Sequence, residues 1–178
     1  MEERRSNRAF YVAAIVMVLL LGWVQCYGDD TLTASYPYAV EVAGAGDVLS
    51  ATAFWVPSDR VRAGIEMSYF DGLKADQPQA VGAQVVGDYF PAGAVELNLG
   101  IAKVQAAPYV GVGLGGDWSI ATHKWGNTAT ARGGVEFPIG ERIGIGTRYE
   151  ARWQDVAWEG LTSGNLNHVF LATVTIKF

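Results

Sequence analysis

Cysteine is almost missing from this chain: Cys26 stands alone among 178 residues. A single thiol builds no intrachain disulfide and no thiolate metal site. Histidine is nearly as scarce, with only His123 and His168. Any hydrolase using a histidine base beside its nucleophile must therefore be built at one of two positions. Charged residues make up 17% of the chain, below the roughly 25% of soluble domains. Past residue 28 no basic residues cluster, so the electrostatic footprint of a nucleic-acid binder is absent. That body also lacks a long apolar run, although the mean hydropathy of the whole chain is mildly positive at +0.14. Its apolar residues are spread singly, as they are when divided among many strands.

What is present begins with a distinct amino terminus. Arg4, Arg5 and Arg8 precede an uncharged stretch from Ala9 to Gly28, with an apolar heart from Phe10 to Trp23. The heart is shorter than the roughly 20 residues a spanning helix needs. A basic start, a short apolar segment and a polar exit at Asp29-Asp30 read as a secretory signal over residues 1–28. The alternative is an uncleaved anchor, because Val24 to Gly28 contain no A-x-A pattern. Cleavage after Gly28 discards Cys26 and leaves 16 acids and 10 basic residues, a net charge of −6. Residues 29–35 form a short leading segment, and 36–178 a single barrel domain.

Beyond Asp29 the sequence alternates with period two between turn signals. In RIGIGTRYEARW, Ile143, Ile145, Thr147, Tyr149, Ala151 and Trp153 share one face. Arg142, Gly144, Gly146, Arg148, Glu150 and Arg152 share the other. The last stretch, LNHVFLATVTIKF, alternates without a break to Phe178. Its aromatic final residue is expected to mark the closing strand of a bacterial outer-membrane barrel. In a soluble sandwich the apolar face would point inward; in a membrane barrel it meets lipid and the charges point into the lumen. Aromatics near the strand ends favour the barrel, whose girdles sit at the two membrane interfaces. The residues assigned to those interfaces are Trp55, Tyr69, Tyr149, Trp153, Phe170 and Phe178. The charged positions Arg62, Glu66, Glu96, Arg132, Glu136, Arg148, Glu150 and Arg152 are assigned to an internal ion-pair network. Such charges must be paired once buried. Gly111, Gly113 and Gly115 are expected to leave room for long arginines from other strands.

Candidate strands fall at 36–45, 48–56, 61–70, 80–90, 94–104, 108–118, 128–137, 142–152 and 166–178. Nine is an odd number, whereas single-chain bacterial barrels have even counts. Eight strands suit about 150 residues at roughly 10 per strand plus connections; ten is the alternative. The suspect boundaries are Gly44-Ala45-Gly46-Asp47 and Gln105-Ala106-Ala107. The fold class is thus all-β, an antiparallel up-and-down barrel.

PYVGVGLG (Pro108 to Gly115), GVEFPIGERIGIGTRYEARW (Gly134 to Trp153) and the strand ending in Phe178 resemble the small outer-membrane β-barrel proteins of the OmpA-like and opacity-protein type. The resemblance implies an eight-stranded barrel in the outer membrane of a Gram-negative bacterium. It also implies insertion by the outer-membrane assembly machinery through the terminal strand. Functions in that group vary, and barrel shape does not choose among them.

Catalysis finds little support. Outer-membrane lipid A deacylases pair a membrane-facing His with a Ser two residues on. Here His168 is followed by Val169 and Phe170, and His123 by Lys124 and Trp125. Ser119 and Thr122 near His123 lie in an expected loop. The reading is a non-enzymatic barrel without cofactor or metal, with a closed, salt-bridged polar interior. Its partners are outer-membrane lipid and an unnamed extracellular ligand, not nucleic acid. Loops 119–127 and 154–165 would provide the surface, with Trp125 and Trp158 as contacts. The alternatives are a lipid-modifying enzyme in the same barrel and a soluble periplasmic barrel that binds an apolar ligand.

Overall fold

The computed structural model describes residues 36–46, 48–71, 79–98, 100, 103–155 and 165–178. The expected signal (1–28), the segment 29–35, most of loop 154–165 and Trp158 lie outside the described residues. Among the described residues nine strands follow in order: β1 (Tyr38–Ala45), β2 (Val48–Ser58), β3 (Val61–Phe70), β4 (Ala80–Tyr89), β5 (Val95–Asn98), β6 (Lys103–Ser119), β7 (Trp125–Ile139), β8 (Ile143–Asp155) and β9 (Asn165–Lys177). All pairings are antiparallel, and sequence neighbours are sheet neighbours except where β4 pairs directly with β6. The first and last strands also pair, with Val42 opposite Val174. The sheet therefore closes, which removes the free edges an open sheet would expose.

Eight strands form the wall; β5 does not. It pairs only with the first residues of β6, from Val95 opposite Ala106 to Asn98 opposite Lys103. The long β6 thus carries two partners along one edge, β4 on its upper part and β5 on its lower part. Pro91 and Gly93 lie between those partners. Proline cannot donate to a ladder, and Gly93 takes a positive φ of 62°. The candidate strand 94–104 is accordingly divided between β5, an interrupted continuation of β4, and the first residues of β6, which removes the odd count. Gln105 to Ala107 are ordinary β6 residues, and Gly44 and Ala45 end β1 in unbroken register with β2, with no bulge. There Ala45 pairs with Val48 around a two-residue loop, and Gly46 has a φ of 52°, as such loops demand.

The barrel has two ends. Tyr38 and Phe178 meet at one, called the base, where Phe178 N–H donates to Tyr38 O at 2.8 Å. The β2–β3 and β7–β8 turns lie there too. The opposite end, the rim, carries the β1–β2, β3–β4, β6–β7 and β8–β9 connections. The β6–β7 connection is shorter than the expected 119–127, because Trp125 already begins β7 and pairs with Trp118.

The usual distribution of side chains is inverted. Val85, Val112, Leu114 and Phe170 are 65–73% exposed on the outer wall. The buried set includes Glu41, Glu66, Asp88, Asp117, Glu136 and Glu150 with Arg62, Arg132, Arg148 and Arg152. Apolar residues also enter the interior in two groups. Val48, Phe70, Val169 and Leu171 pack together with Ala43 and Ala80, and Phe54 packs with Ala39 and Val86. The interior is therefore a mixed filling rather than purely polar.

Candidate functional site

The site with the most chemistry is the lumen. Alternation along β3, β7 and β8 sends every second side chain inward, and closure brings residues far apart in sequence within contact. At the centre, Glu66 accepts from Arg132 Nη1 at 3.1 Å and pairs with Arg148 Nη2 at 2.9 Å. Gln84 Nε2 donates to the same carboxylate at 2.6 Å, and the Thr52 hydroxyl at 3.2 Å. Toward the base, Asp88 receives Arg62 Nε and Arg132 Nε, each at 2.6 Å. Glu41 receives Arg62 Nη2 at 3.0 Å and Arg148 Nη1 at 2.5 Å. Toward the rim, Asp117 takes Arg152 Nη2 at 3.2 Å and the Thr128 hydroxyl at 2.5 Å. Glu150 approaches Arg148 Nε to 2.8 Å, off the hydrogen-bonding line, so that contact is chiefly electrostatic.

Aromatic rings complete the coordination of the guanidinium groups. Arg62 lies over Phe54, Tyr109 and Phe90, at 4.3, 4.8 and 5.2 Å from the ring centroids. Arg152 lies over Phe70 at 4.4 Å. Arginine suits this work because its planar, weakly hydrated cation both forks to carboxylates and stacks on rings. Close approach between β4 and β6 needs a residue without a side chain: a Cβ on Gly111 would collide with the Asp88 carboxylate. The β6 glycines thus make room for Asp88 and Gln84 of the adjoining strand, not directly for arginines as expected. At the base a cavity of about 360 Å³ opens beside Arg62, Glu136 and Lys177. Lys177 Nζ and Glu136 Oε1, both in its lining, pair at 2.9 Å.

Seven of the eight charged positions assigned to the interior are in it: Arg62, Glu66, Arg132, Glu136, Arg148, Glu150 and Arg152. Glu96 is a correction. It sits on β5, outside the wall, and pairs in the open with Lys103 at 2.8 Å. Alternation gave it a face, but the strand that carries it has no barrel interior behind it. Asp88 and Asp117, which alternation puts on the inner faces of their strands, also belong to the network, and so does Glu41, which strand alternation alone did not single out. The signal for Glu41 lay in YAVEVAGA, where a lone glutamate sits between Val40 and Val42.

Of the aromatics, Trp55, Trp153 and Phe170 are exposed on the outer wall, and Tyr149 and Phe178 are half-buried. Tyr69 is a second correction. Its register is outward, yet it is buried at the rim. Its hydroxyl lies 3.4 Å from Asp71 Oδ1, an oxygen also bound by Gln79 Nε2 at 2.7 Å. Trp125 is exposed and packs on Trp118 with centroids 5.4 Å apart. It is a strand residue, not a loop contact.

Among the described residues, no serine or threonine hydroxyl hydrogen-bonds to either imidazole. The Ser119 hydroxyl accepts from Thr122 N–H at 3.2 Å, while the His123 ring lies 6.0 Å from Trp118. His168 Nδ1 is 2.5 Å from the Tyr149 hydroxyl.

No family model matches the chain, and no curated protein matches it in sequence. Among solved structures, the chain is similar to the N-terminal β-barrel domain of Pseudomonas aeruginosa OprF. The TM-score is 0.54 at 15% identity, with 79% of this chain and 96% of that domain covered. The chain therefore has the closed, eight-stranded, OmpA-like barrel fold of that domain.

Proposed function

We propose that this chain is a bacterial outer-membrane protein whose barrel crosses the bilayer and whose work is structural or a matter of surface interaction at the rim, without catalysis. One observation carries the reading: an apolar outer wall around an interior of paired arginines and carboxylates. In water that arrangement would leave a large apolar surface exposed; in a bilayer it is the favourable one. The dimensions agree. From Ile143 to Trp153 on β8 is ten steps along the strand. At about 3.3 Å per residue and a tilt of about 40°, this is about 25 Å, the height of an outer-membrane apolar band. Exposed Trp55 and Tyr89 lie toward the base and Trp125 and Trp153 toward the rim, which suits two girdles.

The packed interior supports a closed lumen, since Glu66, Arg132 and Arg148 have side chains with no exposed area. A soluble barrel holding an apolar ligand would need the opposite orientation of its faces. The experiment is membrane fractionation followed by electrophoresis with and without boiling. The protein is expected in the outer-membrane fraction, with a mobility change on boiling. Recovery in the soluble fraction without detergent would refute the reading.

A further inference from the structure

Within the outer wall one feature is out of character. His168 is the single imidazole among the outward-facing described strand residues, and its surroundings are apolar. Its cross-strand partner is Ala151. Phe170, on the same face two residues along, is 73% exposed. Trp153 and Leu166 pair one step nearer the rim, and both are exposed. Imidazole has two nitrogens to satisfy, and hydrocarbon offers neither a donor nor an acceptor.

Tyr149 answers for one of them. Its ring stacks on His168 at 5.9 Å with 21° between planes and packs against Phe170 in a tilted pair at 4.9 Å. Its hydroxyl reaches Nδ1 at 2.5 Å. With the phenol O–H donating to Nδ1, the ring proton resides on Nε2. Among the described residues Nε2 has no partner, so a donor is held ready on a greasy surface. Depth then selects the acceptor. His168 lies level with Ala151, two residues in from Trp153. That is about 5 Å below the rim girdle at the same rise and tilt. Aromatic girdles sit at headgroup level. The group expected just beneath is the linkage between headgroup and acyl chain.

We infer that His168, fixed in tautomer by Tyr149, donates from Nε2 to the ester carbonyl of an acylated membrane lipid, whose chain lies along Phe170. The site is a lipid-holding position on the barrel wall, not a catalytic one. It rests on the membrane reading above.

The test uses the folded protein in detergent with equal amounts of diester phosphatidylglycerol and its diether analogue, matched in headgroup and chain length. Native mass spectrometry reads which lipid is retained. The wild type is expected to prefer the ester by about five-fold, equivalent to about 1 kcal/mol. His168→Phe keeps an aromatic ring and removes the donor, and its ratio is expected to fall to about one. The unboiled gel shift confirms that the variant is folded. Equal retention by the wild type, or a preference that survives His168→Phe, overturns the inference. The membrane reading fails separately, if the chain stays in solution without detergent.

Discussion

Arg148 is the most demanding position in the lumen and yields the sharpest prediction. It is 1% exposed and meets three carboxylates: Glu41 at 2.5 Å, Glu66 at 2.9 Å and Glu150 at 2.8 Å. Arg148→Met keeps much of the stem and removes the charge. Two of the three acids retain an arginine, since Glu41 also holds Arg62 and Glu66 also holds Arg132. Glu150 does not: Arg148 is its one ion-pair partner among the described residues. The buried set already holds six acids against four arginines. Loss of an arginine therefore strands one carboxylate, which costs about 3–5 kcal/mol. Glu150→Gln moves the balance the other way and leaves Arg148 with two partners. It is expected to cost under about 1 kcal/mol, within the range of a modest hydrogen-bonding change. The double variant should recover about 2 kcal/mol of the single Arg148 loss, a coupling typical of groups in one network. Urea unfolding in phospholipid vesicles, followed by tryptophan emission, reads these values. At a slope of about 1–3 kcal/mol per molar, the Arg148→Met midpoint falls by more than about 1 M. Additive losses, or a Glu150→Gln cost equal to that of Arg148→Met, would refute the reasoning.

Further tests address the wall and the glycines. Ile145 and Val174 are cross-strand partners on the outer face, so either changed to arginine should lose about 2–4 kcal/mol if near the bilayer midplane. The same vesicle assay measures it, and near-neutral effects at both sites would count against lipid contact. Gly111→Ala drives a methyl into Asp88 and is expected to cost about 1–3 kcal/mol as overpacking. Gly87→Ala is the control. Its new Cβ would approach nothing nearer than Arg62 O at 4.0 Å, so stability should be unchanged or slightly raised, by up to about 1 kcal/mol. Equal losses at the two glycines would remove the packing explanation.

Legibility differed from strand to strand. RIGIGTRYEARW announced β8 because charged and apolar residues alternate there for almost its whole length. The 94–104 segment alternates just as well, with Val95, Leu97 and Leu99 against Glu96 and Asn98, and yet among its described residues Val95–Asn98 form β5 beside the barrel while Lys103 and Val104 already belong to β6. Alternation reports a two-faced strand, not what lies behind either face. Tyr69 illustrates the same limit from the other side. Its parity is outward, and yet it is buried at the rim, with its hydroxyl near Asp71. The apolar residues of the lumen, Phe54, Phe70 and Leu171, were hidden because they share faces with polar neighbours.

The sequence by itself determined the period of the strands, the scarcity of free charge on one set of faces and the aromatic ends. These are properties of single strands, written in residues two apart. Only the tertiary structure decided which eight strands close, that Glu96 stays outside, and that Arg148 meets Glu41 from 107 positions away. Those outcomes depend on register across the closing seam, where β4 finds β6 and β1 finds β9, and no local stretch of residues encodes a partner it has yet to meet.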